Sequence, residues 1–192
     1  MNLLKFHNKI KGYTQNRQPG FEADMEPKPI AELEEYKAAG KLENKVALIT
    51  GGDSGIGRAI AILYAKEGAN VAIGYYDEHQ DAEDTVNRLQ EMGVKAKAYA
   101  HDLKDEKQSQ KLIKDVINDF GSLNILVNNG GVQFPRDHFE DITPQQVKDT
   151  FMTNIFGMMF LSQAAVPYLS EGDTIINTTS VTAYRGSGHL ID

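Results

Sequence analysis

One junction constrains this chain more than any other. The apolar run Val46-Ala47-Leu48-Ile49 passes through Thr50-Gly51-Gly52-Asp53-Ser54-Gly55-Ile56-Gly57 into residues 56–67, whose apolar side chains recur at helical spacing. A buried strand, a glycine-rich turn and a helix in that order predict a β–α unit. The rhythm returns with a strand at 71–75 and a helix over 78–92 that ends at Gly93, then with a strand at 96–100 and a helix over 105–120 that ends at Gly121. A fourth strand at 125–127 leads through a loop to one long helix opened by Thr143-Pro144, with Thr as cap and Pro in the first turn, and a fifth strand follows at 174–177. Strands apolar on both faces that alternate with helices predict an α/β fold, a doubly wound parallel sheet of Rossmann-like type covered on both sides.

Length and composition set the outer limits. The 192 residues fit one domain with an appendage, and 41% hydrophobic with 24% charged residues is ordinary for a globular chain. Residues 1–44 read as an N-terminal extension: they hold Pro19, Pro27 and Pro29, their charges cancel, and they bury little. They are expected either as a passive tail or draped over a neighbour, with one short helix near residues 31–39. Residues 45–192 are read as one domain of β–α units and carry the whole net charge of −7. That field opposes phosphate backbones and anionic membrane surfaces, so no nucleic acid and no membrane is expected as partner. There is no Cys, and the five His show no close ligand spacing, so no metal is expected. The first residues lack the apolar core of a secretory signal, and the most apolar stretch, 151–169, is interrupted by Asn154, Gln163 and Pro167. A cytoplasmic protein is the expectation.

The glycine turn sits where a doubly wound fold binds a dinucleotide. Gly51 allows the tight turn, Gly55 lets backbone N–H groups approach a pyrophosphate, and Gly57 lets the helix pack closely. The helix N-terminus makes this an anion site without any Lys. Asp53, Ser54 and Ile56 complete the cradle.

Thr-Gly-x-x-x-Gly-Ile-Gly resembles the cofactor motif of the short-chain dehydrogenases/reductases, and the likeness continues to the end of the chain. Asn128-Asn129-Gly130-Gly131 resembles that family's Asn-Asn-Ala-Gly, with Gly130 in place of Ala. Thr153-Asn154-Ile155 resembles the segment of the next helix that carries the family's Asn, and Ile175-Ile176-Asn177-Thr178-Thr179-Ser180 resembles the strand that ends at its catalytic Ser. The arm, with Pro19-Gly20-Phe21, is similar to that of the bacterial general-stress oxidoreductase subgroup. The resemblance implies hydride transfer between a nicotinamide cofactor and an alcohol or carbonyl substrate, with Ser180 stabilising the substrate oxygen and Asn154 in a proton relay. It implies cofactor contacts at Tyr75, at Asp102 and Leu103, and at Asn128, Asn129 and Gly130. Asp102 is read either as acceptor from the adenine amino group or as a helix cap; Asn128 and Asn129 either tie loops to the sheet edge or touch the ribose. Gln133, Phe134 and Pro135 are read either as substrate pocket or as an ordinary loop.

Between NAD and NADP, the absence of Arg or Lys at the two usual places, with Asp53, Asp77 and Glu78 nearby, favours NAD. Phe151, Ile155, Met158, Met159 and Leu161 give the long helix more apolar surface than one stripe needs, so a homodimer or homotetramer is expected.

The family's proton-transferring Tyr stands thirteen residues after the Ser and its Lys four residues later. Counted from Ser180 the Tyr would fall one position past Asp192, and none of the eight Tyr here has Lys four residues on. The domain is therefore expected to be C-terminally incomplete, with an open edge at its fifth strand, and the 192 residues to be inactive alone. The alternatives are a non-catalytic dinucleotide-binding or regulatory module and a structural partner of complete subunits.

Overall fold

In the computed structural model, residues 15, 17–33 and 35–191 are described. Five parallel strands form one sheet: β1 (Val46–Thr50), β2 (Asn70–Tyr75), β3 (Ala96–Ala100), β4 (Ile125–Asn128) and β5 (Thr174–Asn177), in the order β3-β2-β1-β4-β5. The helices α1 (Gly55–Lys66), α2 (His79–Glu91), α3 (Glu106–Phe120), α4 (Pro144–Phe151), α5 (Gly157–Ala165) and the single turn α6 (Thr182–Arg185) connect or follow them. This is the expected Rossmann-like α/β sheet.

The two sheet faces are separated by the strand pleat. Ala47 and Ile49 of β1 and Val71 and Ile73 of β2 pack with Ala61, Ile62 and Leu89 of α1 and α2. Val46 and Leu48, with Ala72, pack instead with Leu112, Ile113 and Val116 of α3 and Leu161 of α5. Alternate residues of one strand thus serve two cores, which is why β1 is apolar without interruption. Leu161, one of the five apolar residues counted as excess on the long helix, is fully buried in the second core.

Local signals set most element ends. Asp105 caps α3 by accepting from the N–H groups of Lys107 and Gln108, and Thr143 caps α4 by accepting from that of Gln146. The long helix expected from residue 143 runs on through α4 and α5 but is not regular throughout. Residues Met152–Phe156 form a π-helical turn between α4 and α5. The wider turn aims Asn154 at the loop after β4, and Gly157 then abuts the main chain of Leu103, where a Cβ would lie 2.9 Å from the carbonyl oxygen.

No helix forms among the described residues of 31–39, against expectation. The competing partner is Glu67 at the end of α1: its carboxylate accepts from the N–H groups of Ala39 and Lys41 and from the Tyr36 hydroxyl. Glu32 pairs with Lys66 and Arg88, and the Leu33 carbonyl accepts from Lys66 Nζ. Tertiary partners on α1 and α2 thus hold this stretch without a helix. The Lys-bearing start of the chain lies outside the described residues.

Candidate functional site

β1 and β4 are neighbours at the centre of the sheet, so the turn after β1 and the loop after β4 meet at the point where the strand order reverses. Thr50, buried at the end of β1, joins them: its Oγ1 accepts from the N–H groups of Asn129 (2.9 Å) and Gly130 (3.0 Å). Asn129 replies through Nδ2, which donates to the Thr50 carbonyl at 3.2 Å. Gly51 turns the chain with φ of 60°, a conformation costly for other residues. Gly57 is required by space: a Cβ there would lie 1.9 Å from the Gly51 carbonyl oxygen and 2.8 Å from Asn129 Nδ2. Gly57 therefore packs against its own turn. Gly52 has a similar need that sequence reading missed, since its Cβ would lie 2.6 Å from Ile73.

Above this turn lies a cavity of about 480 Å³. Gly51, Asp53, Ser54, Gly55, Ile56, Tyr75, Asp102, Leu103, Asn129 and Gly130 all line it. Two sequence candidates do not. Gly57 lies behind the turn. Asn128 is buried and ties α5 to β5, donating to Ser162 Oγ (3.1 Å) and to Asn177 Oδ1 (2.8 Å). Asp102 is not a helix cap, a place taken by Asp105; its Oδ1 accepts from the Lys104 N–H at 2.9 Å, as in an Asx turn.

The mouth of the cavity includes residues no motif announced. Gln18 and Pro19 of the arm line it, as does His101. Glu22 is buried against the start of α1, where its Oε2 accepts from the Gly55 N–H at 2.7 Å and its Oε1 pairs with Arg58 at 2.8 Å. The arm thus sets one carboxylate at the helix N-terminus, with its charge balanced by Arg58. Helix geometry leaves the next N–H groups, those of Ile56 and Gly57, without intrahelical acceptors.

Burial controls the ionisable groups. It pushes the Asp53 carboxyl up, with help from Asp81 and Glu22. It raises Glu78 to about 7, outweighing the Arg17 guanidinium 3.2 Å away. It lowers His101 to about 4, and neither ring nitrogen of His101 has a hydrogen-bond partner among the described residues. Among the described residues no group of three His, Asp or Glu could hold a metal.

A second, wide depression of about 1190 Å³ adjoins the first and shares Ile56, Asn129, Gly130, Gly131, Val132, Phe134 and Thr178 with it. Gln133, Asn154 and Ser180 line it, whereas Pro135 lies in a separate small recess with His189. Asn154 clamps the loop like a peptide group: Oδ1 accepts from the Val132 N–H and Nδ2 donates to the Val132 carbonyl, each at 2.8 Å. Ser180 Oγ accepts from the Thr182 N–H and hydroxyl. Tyr184 is 86% exposed and lines neither cavity.

A parallel sheet with a glycine turn and a cavity at its switch point is the Rossmann-like class of α/β protein. Within that class the chain belongs to the short-chain dehydrogenase family, whose model matches residues 45–191. It is 47% identical over 190 residues to general stress protein 39 of Bacillus subtilis, covering 99% of this chain and 66% of that protein. It is 42% identical over 186 residues to a glucose and ribitol dehydrogenase of Daucus carota, covering 93% of this chain and 63% of the relative. A crystal structure of a short chain dehydrogenase from Burkholderia cenocepacia in complex with NADP superimposes with a TM-score of 0.76 at 35% identity, covering 78% of this chain and 61% of the other. The chain spans a little under two thirds of the length of these relatives.

Proposed function

We propose that this chain is the cofactor-binding part of an NAD(P)-dependent oxidoreductase that acts on an alcohol or carbonyl substrate. The observation that carries the reading is the cavity at the switch point, floored by a turn in which Gly57 has no room for a side chain. A dinucleotide fits the donors present. Over Gly55 there is open space for a phosphate, since a Cβ there would meet nothing within 4 Å, and the N–H groups of Ile56 and Gly57 are oriented by α1. Asp102 offers its second oxygen to the adenine amino group. Asn129 and Gly130 stand beside the turn for the ribose on the nicotinamide side.

When bound, the nicotinamide supplies the hydride acceptor or donor. The protein's own groups do the rest. Ser180 Oγ receives two hydrogen bonds from Thr182, which leaves its own hydrogen to donate to a substrate oxygen. Asn154 is a positioning residue: by clamping both polar groups of Val132 it holds the loop that carries Gln133 and Phe134 along the depression. For the proton transfer itself these residues offer no Tyr coupled to Lys. The 192-residue chain is therefore expected to bind nucleotide without turnover.

A non-catalytic nucleotide-binding module is the second reading, favoured by the exposed position of Tyr184. For self-association the candidate surface is Phe151, Ile155, Phe156 and Met159, each 42–52% exposed along one helical stretch. No helix among the described residues is long and apolar enough to cross a membrane.

Calorimetric titration with NADH and NADPH tests the proposal. Binding in the micromolar to submillimolar range, competed by adenosine 5′-monophosphate, is the expected result; failure of every nucleotide to bind the folded protein overturns it.

A further inference from the structure

The carboxylates that follow β2, beside the cavity, are met by a cation from the arm. After β2 the chain runs Tyr75-Tyr76-Asp77-Glu78, and Tyr75, Tyr76 and Glu78 line the cavity together with Asp53. In a fold of this order the adenosine ribose lies off the end of the second strand, where a carboxylate reads a 2′-hydroxyl and a cation accommodates a 2′-phosphate. The residues following β2 supply only carboxylates. Arg17 approaches them from sixty residues away: its Nη2 donates to Asp77 Oδ1 at 2.5 Å and to Glu78 Oε1 at 3.2 Å.

The guanidinium is held rather than trailing. Its Nε donates to the Pro19 carbonyl at 2.6 Å, and its central carbon lies 3.8 Å from the centre of the Phe21 ring. The next residues, Gln18 and Pro19, are themselves part of the cavity wall, and Glu22 fastens the arm at the start of α1. Nη1 has no partner among the described residues. One edge of a fixed, charged fork is therefore unspent next to the Gln18–Pro19 segment of the cavity wall.

We propose that Arg17, delivered by the N-terminal arm, is the specificity-determining residue for the adenosine 2′-position, balancing Asp77 and Glu78 so that a 2′-phosphorylated cofactor is accepted. The inference rests on the nucleotide reading above and goes beyond it by naming the group that chooses between the two cofactors. The choice of NAD from local charge counted only residues near the turn and β2. With Arg17 in place the same end of the cavity carries a cation, and the donor on Nη1 is free for a phosphate oxygen.

The test uses probes that occupy only the adenosine end: adenosine 5′-monophosphate and adenosine 2′,5′-bisphosphate, titrated calorimetrically into the 192-residue protein, with thermal melts to establish that each variant is folded. Arg17→Gln is expected to weaken the bisphosphate about tenfold or more and the monophosphate less than twofold. Arg17→Lys retains the charge and is expected to retain most of the discrimination. Asp77→Asn frees the guanidinium and is expected to strengthen the bisphosphate, and raising the salt is expected to narrow the gap between the probes. Equal weakening of both probes in Arg17→Gln, or no change in either, overturns the inference while leaving the nucleotide site standing. Failure of both probes to bind the unmodified protein overturns the nucleotide reading itself.

Discussion

Gly57 and Gly51 are in such close contact that the first atom of any side chain at Gly57 would lie 1.9 Å from the Gly51 carbonyl oxygen. Backbone must move to admit it, and the atoms in its way are those of the glycine turn. Gly57→Ala is expected to lower the thermal midpoint by an amount corresponding to about 1–3 kcal/mol and to weaken adenosine 5′-monophosphate by more than tenfold. Gly188→Ala, where a Cβ meets nothing within 4 Å, is the control and should change neither. Unaltered nucleotide affinity in a folded Gly57→Ala protein would place the ligand elsewhere.

Asn154 and Val132 exchange two hydrogen bonds. Asn154→Leu keeps the approximate volume and strands both polar groups of Val132, at a cost of about 1–3 kcal/mol in urea unfolding. Asn154→Asp still accepts from the Val132 N–H and should cost less. Equal stability for Asn154→Leu and the unmodified protein would mean that the clamp contributes nothing to the loop.

Asp102 is expected to read adenine through its amino group. Inosine 5′-monophosphate lacks that group, so the protein should prefer adenosine 5′-monophosphate by about tenfold, and Asp102→Ala should abolish the preference. Competition binding with the two nucleotides measures it. A preference that survives Asp102→Ala assigns adenine recognition to another residue.

His101 is held neutral by burial, at about 4 against an ordinary value of 6.5. Between those values the unfolded chain binds more protons than the folded one, so this residue's contribution is lost as the pH falls from 6.5 toward 4. Glu78 acts oppositely: with its carboxyl raised to about 7 from 4.5, the folded chain holds more protons than the unfolded one between those values, so stability is lost as the pH rises from 4.5 toward 7. Denaturant unfolding of the unmodified protein and His101→Gln across this range separates the two. The advantage of the unmodified protein should shrink on acidification, and a constant difference would contradict the protonation argument.

The five strands, their helices and the glycine turn were legible because each is written in local periods. β1 shows an unbroken apolar run because it is covered on both faces, Asp105 and Thr143 announce their helices, and Gly93 and Gly121 end theirs in left-handed conformations, with φ of 85° and 86°. The turn at 51–57 is a matter of neighbouring residues and could be placed with its cavity. The π-turn within the long helix was not legible, since the residues of 152–156 are compatible with an ordinary helix. It coincides with a contact from the loop after β4, whose Val132 meets Asn154 from 22 residues away.

The same limit separates Asn128 from Asn129. The motif offers both, but Asn128, the last residue of β4, lies in the interior between α5 and β5, while Asn129, just past the strand, reaches the cavity. The arm depended wholly on tertiary structure. Its residues lack a period, and what holds it is a set of charges met across the fold: Glu22 with Gly55 and Arg58, Glu67 with Tyr36, and Arg17 with Asp77 and Glu78. The sequence by itself determined the order of strands and helices and the glycine turn, because hydrophobic period, caps and turn glycines act within a few residues. Which polar groups face the cavity, and that an arm cation meets Asp77 and Glu78, was decided by the folded sheet, which sets the ends of β1, β2 and β4 side by side and gives distant charges a partner that no local pattern encodes.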